Sequence, residues 1–178
     1  MKNTYYLAID IGASSGRHIV GRLEDGKIKL KEVYRFANGA KHSGGHLVWN
    51  AARLEREVLN GLRAAAGQGY KHDFIGIDTW AVDYALLDAD GEIMGDIYSY
   101  RDGRTQKAAE AVHRHVSFEQ LYKTTGIQYQ PFNTIYQLFA DKRGGKLERA
   151  SYFLMLPDYL NYRLTGVKKQ DYTNATST

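Results

Sequence analysis

The sequence predicts a mixed α/β domain. Three patterns carry that expectation: β-prone segments joined by tight turns at the start, a long helical period behind them, and alternating strands and helices to the end. The chain has 178 residues. A domain takes roughly 100–200 residues, so residues 1–178 are expected to form one domain with a sizeable core.

Tyr5–Ile11 is apolar and β-prone and ends next to Asp10. His18–Leu23 reads as a second strand, and Asp25-Gly26 is a hairpin turn that returns the chain into Ile28–Phe36, with Ile28 and Leu30 facing inward. Together these make an antiparallel meander. Asn50 then caps a helix whose Leu54, Val58, Leu62 and Ala65 share one face, and Gly67 and Gly69 stop it. Phe74–Thr79 is expected to be a buried strand and Tyr84–Asp88 another, turned back at Asp90-Gly91.

The remainder is mostly helical. Thr105–His115 has helical character, and Ser117 with Gln120 forms a capping box before a short helix ended by Gly126. Asn133 caps a further helix carrying Ile135, Leu138 and Phe139. Tyr152–Leu156 reads as a strand, followed by a helix with Pro157 in its first turn, Tyr159, Leu160 and Leu164 inward, and Gly166 at its end. The polar stretch Thr173–Thr178 stops without a closing element, as expected where a longer chain has been cut.

Composition narrows the function. The chain is 43% hydrophobic and 25% charged, an ordinary balance for a globular protein. There is no cysteine, so disulfides, thiolate metal sites and cysteine nucleophiles are excluded, and a cytoplasmic location is expected. No signal peptide and no apolar run of membrane-spanning length is expected. The net charge of +4 comes from interspersed acids and bases, which argues against a nucleic-acid partner. His42 and His46 lack a third ligand of metal-binding type, so zinc is not expected there. Neither a Ser-His-Asp set nor Gly-x-Ser-x-Gly is present.

Two segments carry chemistry. The first is Asp10-Ile11-Gly12-Ala13-Ser14-Ser15-Gly16-Arg17, between two strands. A carboxylate at a strand end can hold Mg²⁺ directly or through water. The small residues Gly12, Ala13 and Gly16 let backbone N–H groups approach phosphate oxygens, Ser14 and Ser15 add hydroxyls, and Arg17 supplies a delocalised positive charge. The segment is neither a Walker loop nor a dinucleotide fingerprint, because a strand rather than a helix follows it. The same residues also suit a plain glycine hairpin. The second segment is Ile77-Asp78-Thr79-Trp80-Ala81-Val82-Asp83, where Trp80 offers a face for a sugar ring and the acids can accept from hydroxyls. Equally, Trp80 suits the core and the acids suit local caps. Tyr100–Thr105 crowds two arginines around Asp102, and Gln130–Asn133 is a capping turn that by itself indicates no ligand.

Taken in order, AIDIGASSGR (8–17), RFANG with His42, GIDTWAVDYALLD (76–88), YRDGRT (100–105), TGIQYQPFNTIYQL (125–138), LMLPDYLNYRLTG (154–166) and YTNATST (172–178) resemble the FGGY carbohydrate kinases, most closely their rhamnulokinase branch. The resemblance implies an actin-like, ribonuclease-H-type domain facing a second domain across a cleft that takes ATP and sugar. This chain then corresponds to an incomplete N-terminal domain. By resemblance, Ala13, Ser14, Ser15, Gly16 and Arg17 contact ATP and Asp10 lies near Mg²⁺. Trp80, Ala81, Asp83, Phe132 and Asn133 line the sugar side. Ala81 stands where most relatives have Gly, and its added methyl narrows the approach to the backbone. The implied reaction is ATP-dependent phosphorylation of L-rhamnulose to L-rhamnulose 1-phosphate, with L-fuculose or another ketose or polyol as the alternative within the family. A regulatory or assembly ATPase is the alternative of another class. The general-base Asp of the family falls beyond residue 178, so the parent protein, not this piece, is expected to be the kinase.

Overall fold

Alternation with period two sets the first strand: Leu7, Ile9 and Ile11 are buried, whereas Tyr6 and Ala8 are exposed. The computed structural model describes residues 4–178. In chain order the strands are β1 (Tyr6–Ile11), β2 (Ser15–Glu24), β3 (Lys27–Ala37), β4 (Lys41–Ser43), β5 (His46–Trp49), β6 (Phe74–Asp78), β7 (Tyr84–Leu87), β8 (Ile97–Tyr98) and β9 (Tyr152–Met155). The helices are α1 (Ala51–Gly67), α2 (Gln106–His113), α3 (Phe118–Thr125), α4 (Thr134–Arg143), α5 (Leu156–Thr165) and α6 (Tyr172–Ala175). The chain divides into two units. One takes the residues up to Ala40 together with Asn50–Trp80, and the other takes Lys41–Trp49 and Ala81–Thr178.

The first unit is a four-stranded sheet of order β3-β2-β1-β6, with the meander antiparallel and β6 parallel to β1. Asp25 and Gly26 both have positive φ, 49° and 71°, as the Asp-Gly hairpin turn requires. Asn50 caps α1 by accepting from the Arg53 amide at 2.7 Å, as its position before the helical period predicts. Helix α1 packs on one sheet face through Leu54, Val58, Gly61 and Ala65.

On that face sits His18, fully buried, its Nε2 3.2 Å from the Val58 carbonyl oxygen and its ring against Gly61, where any side chain would collide with it. Burial pushes the His18 pKa below its ordinary 6.5, and the Val58 carbonyl and Glu57 charge only partly offset this. A lowered folded-state pKa means the unfolded chain binds more protons in that range. The resulting stability is therefore complete above pH 6.5 and is lost as pH falls through the window below it. An NMR titration of the His18 ring should give a midpoint under 6.5, and a midpoint at or above 6.5 would contradict its burial as the neutral form.

The sequence expectation fails at two strands of this unit. Ile28 and Leu30 are 74% and 69% exposed, not inward. They lie on the sheet face opposite α1, after a bulge at His18/Ile19 that adds one residue to β3. β6 is exposed at Phe74 and Ile75 because it is an edge strand here, with β1 its one sheet neighbour. Periodicity identified these segments as strands but could not say which face would find a cover.

The second unit combines a β4-β5-β8 sheet, a β7-β9 antiparallel pair and helices α2–α6. The β4–β5 hairpin was not anticipated, because three- and four-residue strands leave too short a periodic signal. β7 is buried along its whole length, and Ser117 accepts from the Gln120 amide as the capping box predicts. Helix α4 forms as its sequence predicts, with Leu138 and Phe139 partly buried. Ile135 is 39% exposed, while Thr134, Tyr136, Gln137 and Asp141 are buried. Its inward stripe is largely polar because that stripe holds a turn of the chain. Among the described residues, no helix is long and apolar enough to cross a membrane.

Candidate functional site

In the first unit, the β1–β2 connection is tighter than the sequence suggests. Gly12 to Ser14 form the turn, and Ser15, Gly16 and Arg17 already belong to β2. The turn is closed by the Gly12 amide donating to the Ser15 carbonyl at 2.8 Å. Asn38 braces it twice, its backbone amide donating to Ser14 O and its Nδ2 to Gly12 O, both at 2.8 Å. Gly16 lies across from Phe36, and a Cβ there would overlap the buried ring. The glycine is thus required by packing as well as by any ligand.

Asp10 and Arg17 are cross-strand partners, and Arg17 donates to Asp10 Oδ2 through Nε at 2.8 Å and NH2 at 2.7 Å. Both side chains are nearly half exposed, so the pair contributes roughly 0–1 kcal/mol and can reorganise at little cost. Asp78 pairs in register with Asp10 across the parallel β1–β6 ladder. In-register residues of adjacent strands project to the same sheet face, so two carboxylates stand side by side at the C-terminal ends of parallel strands. The sequence reading placed a metal near Asp10 alone. Asp78 was missed in that role because pairing across 68 residues is a tertiary fact. Among the described residues no group of three or more His, Asp or Glu clusters as a metal site. Two carboxylates with water completing the shell is therefore the arrangement available to a hard cation.

The division between the units falls after Trp80. In the second unit, Ala81-Val82-Asp83 forms a three-residue turn, with the Asp83 amide donating to the Ala81 carbonyl at 2.9 Å and Val82 at φ 68°. A β-branched residue with positive φ is an outlier that costs about 1–3 kcal/mol and persists only where its surroundings hold it. Here the Val82 carbonyl accepts from Thr134 Oγ1 and Gln137 Nε2, each at 3.1 Å. Gln137 Nε2 also reaches the Phe132 carbonyl at 3.0 Å and Asp83 Oδ1 at 3.3 Å.

Asp83 is fully buried. Its Oδ2 accepts from the Trp49 indole at 2.7 Å and the Tyr100 amide at 3.1 Å. Asn133 is also buried, with Nδ2 donating to Gln128 O at 2.9 Å. Both residues, expected on the sugar side, thus spend their polar atoms on other parts of the unit. Ala81 and Phe132 stay half-buried and reachable, and Phe132 meets Tyr100 edge-on at 5.5 Å. Trp80 is likewise half-buried, at the end of the first unit.

Beneath the turn the network continues. Arg104 donates to Gln137 Oε1 at 3.1 Å and to Asp141 Oδ1 at 2.8 Å, and Tyr84 OH donates to Asp141 Oδ2. Burial and the Asp141 charge hold the Tyr84 phenol protonated far above its ordinary range. Asp102, from the same arginine-rich segment, accepts from His46 and from the Leu47 and Arg104 amides. Burial raises its pKa, but these bonds outweigh burial and leave it below the usual carboxylate range. Gln137 and Arg104 were missed as functional residues. The available signal was the polar stripe Thr134, Gln137, Asp141 at helical spacing, which competed with the apolar Ile135, Leu138 and Phe139.

The family model for the N-terminal domain of the FGGY carbohydrate kinases matches residues 5–178. The rhamnulokinase of Oceanobacillus iheyensis is 49% identical over 174 residues, covering 97% of this chain and 37% of its own length. That of Bacillus subtilis is 46% identical over 173 residues, covering 97% and 36%. The chain thus spans just over a third of the length of these relatives. The solved gluconate kinase of Lactobacillus acidophilus superposes with a TM-score of 0.81 at 18% identity, over 99% of this chain and 36% of that one. The ligand-bound xylulose kinase of the same organism gives 0.79 at 18% identity, over 98% and 36%. At that identity the likeness is one of fold, the actin-like fold of sugar kinases. With the braced small-residue turn beside Asp10 and the family model covering nearly every residue, the chain belongs to the FGGY family of carbohydrate kinases.

Proposed function

We propose that the protein to which this chain belongs is an ATP-dependent kinase that phosphorylates L-rhamnulose at its 1-hydroxyl. The observation that carries this reading is the 46–49% identity to proteins named rhamnulokinase over 97% of the chain. The geometry within each unit supports it. In the first unit, the backbone of Ala13, Ser14, Ser15 and Gly16, with the Arg17 guanidinium, binds ATP phosphates. Phosphoryl transfer is catalysed mainly by positioning and charge neutralisation. The in-register carboxylates of Asp10 and Asp78 suit Mg²⁺, which prefers oxygen ligands and retains several waters. When bound, the ion would neutralise phosphate charge. Arg17, released from Asp10, then turns its donors to phosphate oxygens.

In the second unit, Ala81 and Phe132 line the sugar side. Trp80, the last residue of the first unit, offers a flat apolar face suited to a sugar ring. Asp83 and Asn133 act by holding the turns that carry Ala81 and Phe132. The strain at Val82 presents the Ala81 backbone in one fixed orientation, which is the kind of pre-organisation a sugar hydroxyl requires. The reaction takes place in the cytoplasm and requires no nucleic acid or membrane partner.

ADP release by the full-length protein tests this reading. With L-rhamnulose, L-fuculose, D-xylulose, glycerol or no sugar offered, L-rhamnulose should give the highest kcat/KM by at least about tenfold, the discrimination available from one or two hydroxyl contacts. Preference for another ketose would move the specificity and leave the chemistry. Release indifferent to every sugar would overturn the kinase assignment in favour of a regulatory ATPase.

A further inference from the structure

The second unit contains a cleft of about 610 Å³ that none of Ala81, Asp83, Phe132 or Asn133 lines. This volume is in the range of small-molecule sites. Its walls bring together Arg104, Lys146 and Arg149, with Tyr98, Ser43 and His46. Tyr98 carries two cations on its ring, the Arg104 guanidinium carbon 4.0 Å and Lys146 Nζ 4.8 Å from the centroid.

Two carboxylates, Asp141 and Asp96, also line the cleft and face Lys146, and Asp141 is already engaged by Arg104 and by Tyr84. Neither Lys146 nor Arg149 makes an ion pair among the described residues. The Arg104 side chain is only 8% exposed, and its Nε, a buried donor, has no partner. Burial also pulls the Lys146 pKa below its ordinary value, with Arg104 and Arg149 adding repulsion and Asp141 and Asp96 opposing them. A bound anion would offset that repulsion.

We propose that this cleft binds a small phosphorylated metabolite, with Lys146 and Arg149 as the donors to its phosphoryl oxygens and the largely buried Arg104 guanidinium adding positive charge behind them. Phosphoryl chemistry fits because several convergent donors match its three oxygens, and Tyr98 provides a flat wall for the rest of the molecule. This site stands independently of the sugar-kinase reading.

The test is equilibrium binding of inorganic phosphate to the full-length protein without nucleotide or sugar. Lys146→Ala and Arg149→Ala should each weaken one saturable phosphate site at least about tenfold, and Lys146→Arg should retain it. Arg17→Ala, which lies in the β1–β2 segment, should leave that site unchanged. Loss in Arg17→Ala with no change in the Lys146 and Arg149 variants would assign the phosphate to the nucleotide turn and overturn the proposal. Absence of saturable binding would also overturn it.

Discussion

Replacing Asp10 by Asn in the full-length protein is expected to lower kcat roughly 100- to 1,000-fold, the scale seen when one preorganised electrostatic contact to a reacting group is removed. Asn keeps the shape and removes the charge that would hold Mg²⁺ beside the phosphates. The variant should fold normally, because the Asp10–Arg17 pair that it breaks is nearly half exposed and contributes little. The Mg²⁺ concentration for half-maximal rate should rise as well. Thermal unfolding separates the two explanations of a lost rate. A Tm within a few degrees of wild type with the fall in kcat places the effect in the chemistry. A kcat within fivefold of wild type would remove Asp10 from the metal and leave Asp78 without its partner.

A comparable loss, of stability rather than rate, is expected for Asp141→Ala. Arg104 and Asp141 form an ion pair in which both side chains are more than 90% buried. Removing the carboxylate strands a guanidinium whose Nε already lacks a partner and leaves the Tyr84 hydroxyl without its acceptor. Breaking one side of a buried pair typically costs about 3–5 kcal/mol. Urea unfolding at pH 7 should show this as a lowered midpoint with an unchanged slope. Asp141→Asn, which keeps one acceptor for Arg104, should lose less. A loss under about 1 kcal/mol for the alanine variant would mean that water enters and screens Arg104. Arg104 also holds Gln137, which anchors the Val82 carbonyl, so the KM for sugar should rise in any Asp141 variant that remains folded.

Much of this was legible in the sequence for simple reasons. The β-prone run Tyr5–Ile11, the Asp25-Gly26 turn, the Asn50 cap and the Ser117–Gln120 box are local signals, and each appears in the structure as expected. The small residues between the first two strands marked a tight turn, which the structure shows at Gly12 to Ser14. Errors began where burial depended on a distant element. Ile28 and Leu30 carry the right period for a strand, yet they lie on the face that α1 does not cover. On α4 the apolar Ile135, Leu138 and Phe139 stand out in the sequence, whereas the fully buried set is Thr134, Gln137 and Asp141 with Tyr136.

The sequence by itself therefore determined most of the elements, the family and the tight small-residue turn after the first strand, because propensity, capping and turn chemistry act within a few residues of the chain. Only the tertiary structure decided that Asp78 stands beside Asp10, that Asp83 is a buried acceptor, and that Val82 is held in a strained turn by Gln137 and Thr134. Those facts depend on strand register and on hydrogen bonds between residues 17 to 55 positions apart. Such pairings are selected by the free energy of satisfying buried polar groups across the whole unit, a quantity that local sequence does not encode.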